Sequence, residues 1–416
     1  MTRFRLFGLF ACGAVLCCAS QAFAQVQYRG YQIGHESMTI EDLQDLTENH
    51  HTNIVRFQVT HVNMDDLSEA DGEQAYIDMV DGVLDGMDEK ILAAEAAGNK
   101  IMLGFALPPG GFLTRSGTPH SEMFSNPTLE EWYVRMIAHV VERYADLIGR
   151  GNLYALDINS EPAQDTARDT NGADGWYDLM FRAIDAAREV NPDVPLMVKP
   201  LYGDPTRLKD IPALNYDNII YGYHWYLLNV YQHTGVESEP FSVNTPPSKK
   251  IRNKTLSLLS KFFRLHETRH KAGEVPSYPP RLVVGETAVS ACAKNSADFL
   301  RDVLSVLERD DLEEVTAAGK KKGKCLKKKK GKCVKFGKGG KKGGKKGGKK
   351  GGSGKQGGSG ASVNENDVQH EAWIVHAWAE SKYWDPRATC DDSGELTLGD
   401  STDRLVVLDE FMSRNE

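Results

Sequence analysis

The chain has 416 residues, with 50 lysines and arginines against 58 aspartates and glutamates and a formal charge of −8. Residues 319–360 alone hold 18 lysines, 16 glycines and no acidic residue, so the remainder carries 32 basic against 58 acidic residues, a net of −26. An acidic body of this kind argues against nucleic acid as the partner of the main domain, and past the first two dozen residues no segment is long and apolar enough to span a bilayer.

The chain starts with Arg3 and Arg5, an apolar stretch from Leu6 to Ala19, and Ala22-Phe23-Ala24. This is the plan of a secretory signal, with cleavage expected after Ala24 and a secreted or periplasmic mature protein. Strand-like apolar runs then follow at Tyr31–His35, Asn53–Val59, Lys100–Leu107, Leu153–Ile158, Leu196–Pro200, Ile219–His224, Arg281–Gly285 and Ala372–Ala377. Helical periodicity separates them, at Ile40–Asn49, Tyr76–Ala97, Leu129–Leu147, Trp176–Val190, Asp204–Ala213, Thr255–Lys271, Ala297–Leu307 and Thr402–Ser413. Asn126-Pro127-Thr128-Leu129-Glu130 supplies a cap, an early proline and an acidic first turn, while Gly98 and Pro192 stand where helices should end.

Strand–helix alternation calls for a parallel sheet covered by helices. Eight such units predict an α/β fold of the (β/α)8 barrel type. An open doubly wound sheet would want a glycine-rich phosphate loop after its first strand, and Gln32-Ile33-Gly34-His35-Glu36 offers none. The expected organisation is a signal at 1–24, strands one to seven within 25–318, a Lys/Gly-rich insert at 319–360, and the eighth strand and helix within 361–416. The insert contains three successive Lys-Lys-Gly-Gly units at 341–352. So few apolar residues cannot offset chain entropy, and disorder is expected there. As a connection from the seventh helix to the eighth strand, the insert should leave from the face opposite an active site. It is read as a flexible linker, a polyanion-binding or cell-surface contact, or a segment that folds back on the acidic body.

Four cysteines follow the signal. Cys292 and Cys390 are expected on neighbouring loops of one face, making a 292–390 bridge the first choice and free thiols the alternative. Cys325 and Cys333 are close enough to close a small loop of their own.

Two carboxylates stand where apolar runs break into polar loops: Glu161 in Asn159-Ser160-Glu161-Pro162, and Glu286 in Gly285-Glu286-Thr287. The C-terminal ends of barrel strands are where such folds place their chemistry, and two facing carboxylates are what glycosidic hydrolysis requires. Asn159-Ser160-Glu161-Pro162 resembles the Asn-Glu-Pro acid/base motif of retaining barrel glycoside hydrolases, and Gly285-Glu286 resembles their nucleophile motif. His224-Trp225-Tyr226 is similar to the His-x-Tyr signature of family 5, the cellulase family. Arg56 matches that family's second-strand arginine and Trp378 its eighth-strand tryptophan.

The resemblance implies a secreted hydrolase of a β-linked glycan of glucan or mannan type, acting without metal or organic cofactor, with monomers expected. Glu286 would be the nucleophile, and Glu161 would protonate the leaving oxygen and then activate water. Arg56 and Tyr226 would donate to Glu286, His224 and Ser160 would line the substrate site, and Trp378 would offer a sugar-facing ring. Ser160 departs from the family's asparagine. Asn159 cannot simply replace it, because alternate residues face opposite sides of a strand. A histidine-containing loop common after the third strand is replaced by Pro108-Pro109-Gly110-Gly111. Two other readings stay open: a glycan-binding barrel without activity, and a zinc peptidase built on His266-Glu267-Thr268-Arg269-His270, a His-Glu-x-x-His pattern.

Overall fold

The computed structural model describes residues 26–34, 36–60, 69–106, 108–110, 112–115, 118–163, 175–226, 232, 249–308, 325–329, 332–336, 370–379, 383–391 and 393–415. The expected signal and most of the lysine insert lie outside them. Eight parallel strands close a barrel: β1 Tyr28–Ile33, β2 Ile54–Val59, β3 Lys100–Phe105, β4 Leu153–Asp157, β5 Leu196–Val198, β6 Ile219–His224, β7 Arg281–Thr287 and β8 Ala372–Trp378. Each strand pairs with the next in sequence, and β1 pairs with β8 to complete the ring. Among the described residues, seven longer helices cover it: α1 Ile40–Glu48, α2 Glu73–Ala96, α3 Pro127–Arg143, α4 Trp176–Val190, α5 Lys249–Lys271, α6 Ser296–Leu307 and α7 Asp403–Met412. This is the (β/α)8 architecture, and all eight expected strands are present.

Local chemistry starts the helices. Thr39 and Asp42 form a capping box at α1, Asn126 accepts from Thr128 N ahead of Pro127 at α3, and Thr402 accepts from Leu405 N at α7. Gly98, at φ +95°, takes the left-handed position that ends α2.

Three boundaries differ from expectation for identifiable reasons. The fifth helix shrinks to a 3₁₀ segment at Pro205–Asp210, since Pro212 drives Ile211 out of helical conformation. Tyr144 leaves helical geometry and splits the third expected helix, which resumes at Ala145–Gly149. β1 begins three residues early, because buried Arg29 and Gly30 interrupt its apolar pattern while remaining in the strand.

Two apolar layers share the core. Between strands and helices lies the larger one, including Leu103, Leu156, Val198, Val284, Trp176 and Phe299. Inside the barrel, Ile54, Met102, Ala155, Met197, Ile220, Val283 and Ile374 close the floor. Strand side chains repeat every two residues, so the next inward positions above this floor are Arg56, Gly104, Asp157, Lys199, Gly222, Gly285 and His376. The sequence therefore places a polar layer directly on an apolar plug, at the end of the barrel where the strands terminate.

Outside the barrel, short antiparallel pairs form at Phe112–Arg115 with Thr118–Ser121, and at Ala388–Cys390 with Leu396–Leu398. Within the insert, where cysteine, leucine, valine and phenylalanine interrupt the lysines, Cys325–Lys329 pairs with Lys332–Phe336. Cys325 stands opposite Phe336 and Cys333 opposite Lys328, so these two cysteines are not cross-strand neighbours. No helix among the described residues is long and apolar enough to cross a membrane.

Candidate active site

Glu286 closes β7 next to a bulge. Tyr223 pairs with Val284 but His224 pairs with Glu286, so Gly285 is the extra residue. A Cβ on Gly285 would lie 2.9 Å from Lys199 Nζ, which makes glycine the residue that fits there. The bulge brings Glu286 over the polar layer. Arg56 Nη1 donates to its Oε1 at 2.7 Å, Ser160 Oγ lies 3.5 Å from the same oxygen, and His224 Nδ1 stands 3.3 Å from Oε2.

Arg56, fully buried, also donates through Nη2 to Ser160 Oγ at 2.6 Å and to Asp157 Oδ2 at 3.2 Å. Gly104 makes room for the guanidinium, since a Cβ there would be 2.6 Å from Nη2. Burial by itself would raise the Glu286 pKa. The positive groups around it, His224 first, then Arg56, His376 and Lys199, outweigh burial and hold the carboxyl well below the usual carboxylate range.

Glu161 sits in the loop after β4 with its side chain 53% exposed, and its Oε1 is hydrogen-bonded with His224 Nδ1 at 2.5 Å. One oxygen of each carboxylate and a ring nitrogen of His224 lie within 4.8 Å of one another. Inverting glycosidases keep their carboxyls about 6.5–9.5 Å apart to admit a water, and retaining ones about 5–5.5 Å; this pair is on the short side. The same three groups could offer a metal one ligand each. However, His224 Nδ1 is already engaged by the carboxylates, and Arg56 and Lys199 crowd the position with positive charge, which disfavours a further cation.

The expected site residues divide into three groups. Glu161, Glu286, Arg56, Ser160 and His224 come together at the strand ends. Tyr226 stands at the mouth, its ring edge-on to His224 at 6.4 Å and 6.3 Å from Trp384. Trp378 is the correction. It is 2% exposed and wedged among Tyr31 at 5.0 Å, His50 at 4.8 Å and the Arg387 guanidinium at 4.5 Å. An extra residue in β8, between the Tyr31–Val375 and Ile33–Trp378 pairs, shifts its facing. Its ring is packed into the wall and offers no open sugar face.

Asn159 and Ser160 face opposite ways, Asn159 bonding Tyr133 on α3 while Ser160 meets Arg56; since Asp157 also meets Arg56, strict alternation is broken just past the end of β4. Cys292 and Cys390 are disulfide-bonded, with Cα atoms 5.0 Å apart. Each histidine of the His266–His270 pair engages one ring nitrogen with a backbone carbonyl, His266 Nε2 with Ser277 and His270 Nδ1 with Val275. Burial pushes the His266 pKa down to about 4. No third ligand joins them among the described residues, so the zinc reading falls.

Sequence reasoning missed four residues. Asp157 and Lys199 were passed over as strand residues, although their spacing of two from Ala155 and Met197 marked them as inward-facing. His376 reaches the site from β8, its ring 4.7 Å from Trp384. Trp384 follows an irregular stretch, and no periodicity could have placed it.

The family model described as cellulase, glycosyl hydrolase family 5, matches residues 19–272. That span includes Arg56, Ser160, Glu161, His224 and Tyr226 and stops short of Glu286. Among solved structures, an endoglucanase is similar at 15% identity and a TM-score of 0.49, over 68% of this chain and 86% of that one. The cellulose synthase subunit Z from Clostridioides difficile is similar at 13% identity and a TM-score of 0.47, over 92% and 99% respectively. Endo-glycoceramidase II from Rhodococcus sp. is similar at 17% identity and a TM-score of 0.46, over 68% and 70%. No curated protein sequence matches. With its family match spanning well over half of the residues and a closed (β/α)8 barrel beneath it, the chain belongs to glycosyl hydrolase family 5 and is a glycoside hydrolase.

Proposed function

We propose that this glycoside hydrolase is exported and cleaves a β-linked glycan, glucan or mannan in type, by double displacement with retention. The observation that carries the mechanism is the closeness of Glu161 and Glu286, one oxygen of each lying within 4.8 Å, which is nearer the spacing of retaining than of inverting pairs. Glu286, kept ionised by Arg56 and its other positive neighbours, attacks the anomeric carbon. Glu161 gives its proton to the departing oxygen, the glycosyl–Glu286 ester forms, and Glu161 then takes a proton from the water that breaks it. Glu161 is open to solvent and so able to exchange protons between the two steps. Tyr226, Trp384 and His376 form an aromatic wall beside the carboxylates, and this wall takes the sugar-facing role that Trp378 cannot fill. Export rests on the signal-like start of the chain. The cellulase description of the family supports a β-glucan as the first substrate to test.

The test is hydrolysis of a β-glucan and β-mannan panel, with the anomer released followed by proton NMR. Retention is expected, and Glu286→Gln should abolish turnover. An inverted first product, or full activity in Glu286→Gln, would overturn the mechanism. Binding without hydrolysis by the unaltered protein would make the chain a silent glycan binder.

A further inference from the structure

Lys199 has no part in the chemistry above, yet it is fully buried beneath both carboxylates. Its Nζ lies 2.6 Å from Asp157 Oδ2 and 2.6 Å from His224 Nε2. The space it occupies is made by glycine. A Cβ on Gly222 would come within 3.1 Å of Lys199 Cε, and one on Gly285 within 2.9 Å of Nζ. In the surrounding layer Arg56 and Lys199 stand against Asp157 and Glu286, with His224 beside them.

Two N–H groups cannot point at each other across 2.6 Å, so a single proton lies between Lys199 Nζ and His224 Nε2. Paired with Asp157 at 2.6 Å, Lys199 is the ammonium and donates to Nε2, and a neutral imidazole whose Nε2 accepts carries its hydrogen on Nδ1. We infer that Lys199 is a positioning residue that makes His224 Nδ1–H an obligatory donor toward Glu161 and Glu286. This rests on the double-displacement reading and deepens it.

The consequence concerns where the catalytic proton can sit. With Nδ1 protonated, Glu161 Oε1 can only accept from it, at 2.5 Å. The proton to be transferred is therefore confined to Oε2. Without Lys199 the ring is free to adopt the other tautomer, with a bare Nδ1. Glu161 would then donate its proton to the histidine and not to the glycosidic oxygen. Lys199 and His224 exchange no proton with substrate in either step; they fix its address on Glu161. Burial lowers the lysine's own pKa, and Asp157, 2.6 Å away, opposes that shift and favours the ammonium.

Two measurements test this. Neutron diffraction of the deuterated free protein should show deuterium on His224 Nδ1, and a bare Nδ1 would overturn the assignment. The map needs neither substrate nor variant, so it is read whether or not the glycosidase mechanism survives its own test. In Lys199→Met, which keeps the stem and deletes the donor, kcat should fall roughly ten- to a hundredfold, the worth of one hydrogen bond to a charged group. KM should stay within about twofold.

The acid limb of the kcat/KM profile should also move to higher pH, because Glu286 loses one of the cations that keep it ionised. The groups facing Glu286 are Arg56 from β2, Ser160 and Glu161 after β4, Lys199 after β5, His224 from β6 and His376 from β8; of the positive ones, this variant removes Lys199 alone. A variant that only melts earlier, with its pH profile in place, would show Lys199 to be structural filling.

Discussion

At the scale of single residues, the site is an argument about which carboxylate stays charged. Glu286 accepts from Arg56 and lies beside His224, while Glu161 faces solvent and touches only the histidine among these groups. Replacing Glu161 by Gln should therefore slow hydrolysis of unactivated glycans by about 10²–10⁴-fold. A substrate with a good aryl leaving group should lose far less in its first step, because that oxygen needs no proton, and comparing the two substrates is the check. Ser160→Ala removes a hydroxyl that accepts from Arg56 and reaches toward Glu286, and kcat/KM should fall about tenfold, near 1.4 kcal/mol.

Arg56→Met is the harsher change, since it strips a buried partner from both Asp157 and Glu286. A loss of about 3–5 kcal/mol at neutral pH is expected. The sign with pH follows from linkage. Burial pushes the Glu286 carboxyl up, but its positive neighbours hold its folded pKa below the unfolded value. Its contribution to stability is thus complete above about pH 4.3 and is lost as pH falls toward the folded value. The gap between Arg56→Met and the unaltered protein should accordingly narrow in urea melts taken below about pH 4.

Elements carry these residues to their places, and here legibility had a physical limit. All eight strands were readable because barrel strands buried on both faces are continuous apolar runs, and the eight units dictated the closed ring. Glu161 and Glu286 were readable because each ends such a run. What escaped were inward polar residues on the regular period of two, Asp157, Lys199 and His376, and the places where that period fails. The bulge at Gly285 brings Glu286 over the polar layer, and the extra residue in β8 turns Trp378 away from the site. A bulge is chosen by contacts across the barrel, Lys199 against Gly285 in this case, and those partners lie 86 positions apart in sequence. Trp384 escaped for a related reason: it belongs to a loop whose course is set by Asp385, Arg404 and the disulfide, with no repeat of its own.

The strand glycines give the cleanest test at this scale. Gly104→Ala would set a methyl 2.6 Å from the Arg56 Nη2 atom. Overpacking should cost about 1–3 kcal/mol and, by displacing the guanidinium, lower kcat as well. An alanine of equal stability and full activity would mean that Arg56 is not held where it is drawn. Trp384→Ala should instead raise KM with a smaller effect on kcat, as expected of a residue that contacts sugar without touching the reacting atoms.

For the molecule as a whole, the two ends of the barrel do different work. At the catalytic end, Cys292–Cys390 ties the loop after β7 to the hairpin after β8, across 98 residues of sequence. Removing it as a Cys292→Ser, Cys390→Ser pair should cost about 2–4 kcal/mol by releasing the unfolded chain, seen as a lower Tm, and should raise KM as the Trp384 wall loosens. At the other end stand the described residues that flank the insert. Glu308, the last described residue before it, bonds Arg29 near the start of β1 and Trp373 near the start of β8. Glu371, just after it, pairs with Arg281 at the start of β7. Arg281 and Glu286 are five positions apart on one strand, ~16 Å at about 3.3 Å per residue. The described residues that flank the insert thus stand on the far side of the apolar plug from the carboxylates. Deleting 319–360 should therefore leave kcat and KM on a soluble neutral glycan within about twofold of the full chain. If the 18 lysines serve to hold an anionic polymer, the same deletion should abolish retention on that polymer, and retention by the full chain should weaken steeply with added salt. A deletion that lowers kcat would bring the insert to the catalytic face and contradict the placement of its two anchors.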